Sequence, residues 1–295
     1  MGKSRSLRVI ALIFISSTAA GQSEPQTDPS ALQKSAEQGD PYSQTLLGMS
    51  YREGRGVPQN DSEAVRWLRK AANQGYTEAQ TQLGFMFERG QGAPPDATEA
   101  VKWFRLAAQQ GDAIAQGKLA LALLQGKGTS RNDTEAAQWS RKSAEQGYAP
   151  AQVWLALQYY SGRGVPKDPV LGANWLRRAA EQGEPNGQHY LGDMYAHGNG
   201  VPQDYALAVI WWRKAAEQGV QDAQVALASA YGLGQGVPQD YVLCYMWANL
   251  AAASSSGEVR DLAVEVRDVA SRKLTVQQLG EAQQMAREWK PTKAK

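Results

Sequence analysis

The side chains best suited to metal or acid–base chemistry lie close together in one short segment. His189, Asp193 and His197 follow each other at intervals of four residues, so on a helix they share one face. Both residue types ligate zinc. The two histidines would lie about 12 Å apart along a straight helix, so one ion cannot bind both. The spacing therefore favours a polar patch at His189 and Asp193 over a metal site.

The chain offers few other residues for catalysis. It contains two histidines and one cysteine, and no Ser-x-x-Lys, Gly-x-Ser-x-Gly or His-Glu-x-x-His motif occurs in it. Nucleophilic catalysis needs a nucleophile activated by a neighbouring base, and the chain has few residues that could take either role. Carboxylates paired from distant parts of the chain are the alternative left open, because such a pair suffices to cleave a glycan. The sequence favours a protein that is not an enzyme and that uses no cofactor.

The N-terminal segment has the features of a secretory signal of the Sec type. Lys3, Arg5 and Arg8 precede a short apolar run at 9–15, and small residues at 18–20 suit cleavage near position 21. The run is shorter than the about 20 residues that a membrane helix needs. We therefore expect residues 1–21 to be a signal peptide, and the mature chain to be periplasmic or secreted, with no integral membrane span after cleavage.

Net charge limits the kinds of partner that the chain can bind, and cysteine content limits its disulfide bonds. The chain has 31 basic and 29 acidic residues, and cleavage would remove three of the basic ones. A nearly neutral chain lacks the basic surface of a nucleic-acid-binding protein, so no nucleic-acid partner is expected. Cys244 is the only cysteine, which excludes a disulfide within the chain.

A fixed period of 36 residues organises most of the chain. A Gln-Gly pair recurs with its glycine at Gly39, Gly75, Gly111, Gly147, Gly183 and Gly219. A period of this length is typical of a solenoid, in which each unit contacts only its neighbours and the stack presents a long surface to partners. The chain divides into six units, at 40–75, 76–111, 112–147, 148–183, 184–219 and 220–255.

The apolar spacing predicts two antiparallel helices in each unit. In unit two, Ala79, Leu83 and Phe87 recur every four residues and form one helical stripe. Farther along the unit, apolar residues follow the i, i+3, i+4, i+7 spacing from Ala100 to Ala107, again one face of a helix. The small residue after each stripe leucine, such as Gly84, is expected where the two helices cross.

A Gly-x-Gly-Val-Pro loop joins the two helices in units one, four, five and six. Its first glycine can end the first helix in the left-handed conformation, and the proline prevents that helix from continuing. An Asn or Asp then caps the second helix, and Glu63, Glu99 and Glu135 are expected to complete capping boxes. The loop lacks the preceding strand and the lysine of a phosphate-binding motif, so the pattern favours a turn.

The complete pattern resembles the Sel1-like repeat, a relative of the tetratricopeptide repeat. In unit five the match is carried by Gln188, Leu191-Gly192, Tyr195, Trp211 and Gly219, and the six units cover 40–255. The resemblance implies an all-α, right-handed α-solenoid of 36-residue helix-turn-helix repeats. It also implies a non-enzymatic adaptor that holds protein partners, in this case in the bacterial cell envelope.

Both ends of the array are expected to be capped, because terminal repeats need a polar outer face. Residues 22–39 are predicted to form a linker and an N-terminal capping half-repeat. Residues 256–295 are predicted to form C-terminal capping helices and a tail, in which Thr275 and Gln278 form a capping box and the last helix ends before Pro291.

A binding groove is expected along the first helices of the units, which line the concave side in the related family. The predicted partner-binding residues are Met49, Phe85, Leu121, Leu124, Val153, Leu157 and Tyr160, followed by the polar patch at His189 and Asp193. An exposed apolar strip rimmed by charge marks an interaction site, here for a partner peptide or helix. Two alternatives are open. These side chains could pack against the next repeat, or Trp154, Tyr160 and Tyr190 could stack on a carbohydrate or peptidoglycan.

Overall fold

The computed structural model describes residues 29–292, and fifteen helices and no strand occur in that range. The expected signal peptide at 1–21 lies outside the described residues. Helix α1 (Pro29–Glu37) precedes the repeats and packs on the first of them. The predicted fold class, an all-α solenoid of 36-residue repeats, is confirmed.

Each unit contributes two helices. The first helices of the units, called A helices, are α2 (Pro41–Glu53), α4 (Thr77–Arg89), α6 (Ala113–Gln125), α8 (Ala149–Ser161), α10 (Pro185–His197) and α12 (Gln221–Leu233). The second helices, called B helices, are α3 (Asp61–Asn73), α5 (Ala97–Gln109), α7 (Asp133–Glu145), α9 (Pro169–Glu181), α11 (Tyr205–Glu217) and α13 (Tyr241–Ser254). Each B helix packs on the A helix of its own unit and, in units one to five, on the A helix of the next unit.

The predicted helix ends are confirmed. Each A helix ends at a glycine whose φ lies between 68° and 74°, a left-handed conformation that glycine adopts without strain. Each B helix begins after a side chain that accepts hydrogen bonds from the first-turn backbone. These capping residues are Asn60, Asp96, Asn132, Asp168, Asp204 and Asp240.

The predicted capping boxes in units one to three are wrong. The three glutamates accept hydrogen bonds from other side chains instead: Glu63 from Arg66, Glu99 from Lys102 and Glu135 from Arg105, and the last two also from the tryptophan four residues later. A hydrogen bond between two charged groups is stronger than one from a neutral backbone N–H, which explains the preference. The capping box of Thr275 and Gln278 is present as predicted.

The core combines a leucine stripe on the A helices with alanines and larger apolar side chains of the B helices, such as Leu68 and Phe104. The stripe leucines are Leu47, Leu83, Leu119, Leu155, Leu191 and Leu227, all buried. A Cβ atom added to Gly84 would lie 2.6 Å from the Phe104 ring. The prediction that a small residue lies at the helix crossing is therefore confirmed.

A ladder of glutamine side chains ties consecutive units together. The buried Gln80 donates to the carbonyl oxygen of Ala72 at 3.1 Å, and Gln110 donates to the Gln80 side-chain oxygen at 2.8 Å. The same pair of hydrogen bonds recurs along the array up to Gln218 and Gln188. The next donor position holds Ser254, and the side-chain oxygen of Gln224 is accordingly buried without a hydrogen-bond partner. The ladder therefore ends at the sixth unit.

Two further helices cover the C-terminal end of the array. Helix α14 (Gly257–Ser271) packs on α13 and α12, and α15 (Val276–Glu288) packs on α13. Trp289 meets Trp247 edge to face at 6.1 Å, and Thr292 donates to the carbonyl oxygen of Glu217 at 2.8 Å. No helix within residues 29–292 combines the length and the apolar character that crossing a membrane requires.

Candidate partner-binding site

Three A helices in the middle of the array lie close to one another. Helices α6 and α8 contact each other directly, as do α8 and α10, whereas neighbouring B helices in the described chain make no comparable contact. In a curved stack the helices on the inner side lie closer together. The A-helix face around units three to five is therefore the more closely packed side of the stack.

One cleft opens on this face between α8 and α10. It has a volume of about 320 Å³ and is lined by Leu157, Tyr160, Leu176, Tyr190, Asp193, Met194, His197 and Asn199. We call it the Tyr160 cleft. The structure thus brings Leu157 and Tyr160 of the predicted groove together with Asp193 of the predicted polar patch. The Tyr160 hydroxyl accepts a hydrogen bond from Asn199 at 3.3 Å, so the rim of the cleft links units four and five.

A second cleft lies on the other side of α10, between α10, α12 and α14. It has a volume of about 470 Å³, and its walls include His189, Asp193, His197, Trp212, Asp222 and Leu262. We call it the His189 cleft. Asp193 and His197 line both clefts, so the segment predicted to form a polar patch separates them.

The Asp193 carboxylate is held from two sides. Its Oδ1 atom accepts a hydrogen bond from the indole nitrogen of Trp212 at 2.8 Å, and its Oδ2 atom lies 3.4 Å from His189 Nε2. Burial raises the pKa of Asp193, and the nearby histidines and the indole hydrogen bond oppose that shift. The other ring nitrogen of His189, Nδ1, is buried without a hydrogen-bond partner. Both predicted polar residues therefore lie in one half-buried cluster.

The cluster is not arranged as a metal centre. Among residues 29–292, no three histidine, cysteine or acidic side chains lie together so that they could hold an ion. His197 is exposed and its Nδ1 atom lies 2.8 Å from the backbone oxygen of Asp193.

The apolar residues predicted for units one to three are half-buried and lie away from the two clefts. They are Met49, Phe85, Leu121 and Leu124. The Phe85 ring meets Phe104 edge to face at 5.4 Å, and Lys118 and Arg89 lie 5.1 Å and 5.2 Å from its centroid. These neighbours leave little of the ring for a partner. Leu121 lines a small separate cavity of about 50 Å³ beside Phe104.

Val153 is not a groove residue, so that part of the site prediction is wrong. Its side chain is only 3% exposed, and it belongs to a buried cluster with Leu176 of α9 and Leu191 of α10. The prediction assumed that α8 buries only the face that carries its leucine stripe. In the stack, α8 also packs against α9 and α10, so the face that carries Val153 is buried as well.

Trp212 is a residue of the site that was not predicted. It lies on a B helix, at the slot held by Leu68, Phe104, Ser140, Leu176 and Ala248 in the other units. A Cβ atom added to Gly192 would lie 2.5 Å from the Trp212 ring, so this glycine makes room for the indole. Comparison of equivalent slots in the sequence could have revealed the unusual residue. No comparable sequence pattern indicates that α14 contributes to the His189 cleft.

Comparison with known families identifies the repeats. The Sel1 repeat matches six consecutive segments, 41–76, 77–112, 113–148, 149–184, 185–220 and 221–256. The chain belongs to the Sel1 repeat family. Sel1 repeat proteins are generally non-enzymatic scaffolds for protein interactions. Each matched segment begins one residue after the corresponding predicted unit.

Two solved structures of Sel1 repeat type are similar to this chain. A Sel1 repeat protein from Oxalobacter formigenes is 35% identical, with a TM-score of 0.69, and the match covers 79% of this chain and 89% of that one. A protective antigen of uropathogenic Escherichia coli is 33% identical, with a TM-score of 0.61 and 88% of this chain covered. This chain spans 63% of the length of the antigen structure. No curated protein matches the chain.

Proposed function

We propose that this protein is an adaptor of the bacterial cell envelope that binds a peptide or helix of a protein partner on its A-helix face. The observation that carries the proposal is the pair of clefts that meet at Asp193, because open clefts with aromatic walls suit the anchoring side chains of a partner. Membership of the Sel1 repeat family supports a protein partner. Within the face, we assign the anchor positions to Leu157 and Tyr160.

Photo-crosslinking tests the location of this surface. Benzoylphenylalanine placed at Tyr160 is expected to crosslink one protein of the cell envelope. The same photoreactive residue at Ile210, which is exposed on the B helix α11, serves as the matched control and is expected to crosslink nothing. Equal crosslinking of one protein from both positions, or from Ile210 alone, would overturn the assignment of the A-helix face.

The envelope location is supported by the signal-like residues at the N-terminus. Export predicts that the protein recovered from a periplasmic or extracellular fraction begins near residue 21. Sequencing of its N-terminus after cell fractionation measures this directly. A cytosolic protein that still carries residues 1–21 would contradict export.

Binding of an envelope glycan is a second candidate, because Tyr160 and Tyr190 line the same cleft and aromatic faces can stack on sugar rings. Trp154 is less available for this role, since its ring packs against Tyr148 at 6.3 Å and is half-buried. Competition separates the two candidates. Peptidoglycan fragments would abolish crosslinking from Tyr160 if the cleft binds glycan, and would leave it unchanged if the cleft binds a protein.

A further inference from the structure

Unit five departs from the other units at three slots that contact one another. His189 stands where the others have Thr45, Thr81, Gly117, Val153 and Val225. Asp193 stands where they have Met49, Phe85, Leu121, Leu157 and Ser229. Trp212, the third, donates to Asp193 from the slot that holds Leu, Phe, Ser or Ala elsewhere. No other unit has an ionisable side chain at the first two slots or an indole at the third, and the three residues contact one another through Asp193, so they are best explained together.

No lysine or arginine of the described chain neutralises the Asp193 carboxylate, and its basic neighbour in the cluster is His189. A partly buried carboxylate is costly unless it is paired with a positive charge or fully hydrogen-bonded. Asp193 has a neutral indole donor at 2.8 Å and a histidine nitrogen at 3.4 Å, and no lysine or arginine among residues 29–292 forms an ion pair with it. The site therefore has room for a lysine-type positive charge supplied from outside.

The walls of the clefts point to the same ligand chemistry. Tyr160 and Tyr190 line the Tyr160 cleft, and Asp222 adds a second carboxylate to the His189 cleft. Aromatic faces attract cations, and the Tyr160 ring already has the Lys167 ammonium 5.9 Å from its centroid, while carboxylates repel anions. A cleft whose walls combine apolar side chains, two tyrosines and a carboxylate suits an alkyl chain with a terminal ammonium group.

We propose that the Tyr160 cleft binds the side chain of a lysine from the partner, with its ammonium group paired with Asp193. This inference rests on the proposed function, since it names the anchor that the partner presents to the A-helix face. Trp212 is then a positioning residue, because its indole holds Oδ1 of Asp193, and Oδ2, which lies 3.4 Å from His189 Nε2, is the oxygen that meets the ammonium. An incoming ammonium also offsets the burial that raises the pKa of Asp193.

The indole N–H of Trp212 provides a direct spectroscopic reporter, because it donates to the carboxylate that would bind the ammonium. Its nitrogen–proton NMR signal is assigned by its disappearance in Trp212→Phe. The probe is Nα-acetyl-lysine methylamide, titrated to its solubility limit. We expect a saturable shift of the Trp212 signal, and binding weaker by about tenfold or more for the same compound acetylated on its side-chain nitrogen, which has no charge.

Two variants of Asp193 keep the test decisive. Asp193→Asn keeps the shape of the side chain, and Asp193→Leu introduces the residue that Leu121 and Leu157 provide at the same slot, so the fold is expected to tolerate both. Each should lose the preference for the charged probe. The proposal is overturned if no saturable shift occurs, if the acetylated probe binds equally well, or if Asp193→Asn binds like the native protein.

A small free amine is the rival source of the same chemistry. If cadaverine saturates the shift while the lysine derivative does not, the cleft is a small-amine site and the lysine proposal fails. The crosslinking experiment separates this inference from the proposed function. Crosslinking that persists in Asp193→Asn, with no response of Trp212 to the lysine probe, would refute the lysine anchor alone. A Trp212 response without any crosslinked protein would refute the adaptor function.

Discussion

Replacement of Gly164 by alanine is the sharpest test of how consecutive units stack. Gly164 has a φ of 74°, and a Cβ atom there would lie 1.9 Å from the carbonyl oxygen of Asp133. Asp133 is the first residue of the B helix in the preceding unit, so the loop of one unit rests directly on the helix start of another. Gly147→Ala is the matched control, because its φ is 93° and nothing lies within 4 Å of an added Cβ.

The expected loss of stability has two parts, the cost of the left-handed backbone conformation and the cost of steric overlap. A left-handed conformation costs a non-glycine residue about 1–2 kcal/mol, and both variants carry this cost. The overlap with the Asp133 backbone adds about 1–3 kcal/mol in Gly164→Ala alone, because neither backbone can move freely. At about 2–4 °C per kcal/mol for a chain of this size, Gly164→Ala should melt about 2–12 °C below Gly147→Ala.

Thermal unfolding followed by far-ultraviolet circular dichroism measures this difference. Long repeat arrays need not unfold in a single two-state transition, so the midpoints of the two variants are compared at the same protein concentration and heating rate. Equal midpoints would refute the close contact between the loop and Asp133. A lower midpoint for Gly147→Ala would refute the reasoning altogether.

Three further predictions address the core, the ladder and the thiol. Gly84→Leu should lower the free energy of unfolding by about 1–3 kcal/mol, measured by urea denaturation, because the new side chain would overlap Phe104. Gln146→Ala should lower it by about 1–3 kcal/mol, because the buried Gln116 loses the donor of its 2.8 Å hydrogen bond. Burial raises the pKa of the Cys244 thiol to about 11, so Ellman's reagent should label the native protein slowly at mildly alkaline pH and the unfolded protein rapidly.

Each of the three predictions has a control variant or a result that would contradict it. An unchanged urea midpoint in Gly84→Leu would mean that the helix crossing is misplaced. Gln138 is exposed on α7, the helix that Gln146 directly follows, so Gln138→Ala should be nearly neutral. Equal effects of Gln138→Ala and Gln146→Ala would show that the ladder does not contribute to stability. Rapid labelling of Cys244 in the native protein would contradict its burial.

The repeat and the helix ends were predictable from sequence because they depend on local chemistry. Glycine at the end of each A helix and Asn or Asp before each B helix act through contacts within a few residues. The periodic leucines and the Gln-Gly pairs then fix the order of the units. The unpredicted contacts of Glu63, Glu99 and Glu135 depend on which basic side chain lies within reach, which the capping pattern does not specify.

The candidate site was predicted in part, because it depends on contacts between units. A helical wheel places Phe85 and Val153 on the groove side of their helices, but Phe104 and Lys118 cover the first and packing against two further helices buries the second. His189 and Asp193 were predicted as a patch because they are neighbours on one helix. Their contact with Trp212 joins two helices and was not apparent from the spacing on α10.

Calorimetric titration of the crosslinked partner is the most direct test of the central claim that the A-helix face binds a protein. The purified partner is titrated into the native protein, into a Leu157→Ala/Tyr160→Ala variant confirmed as folded, and into an Ile210→Ala variant of the outer face. The account predicts binding weaker by about tenfold or more for the groove variant and unchanged for the outer-face variant. Equal affinity of the groove variant and the native protein would contradict it.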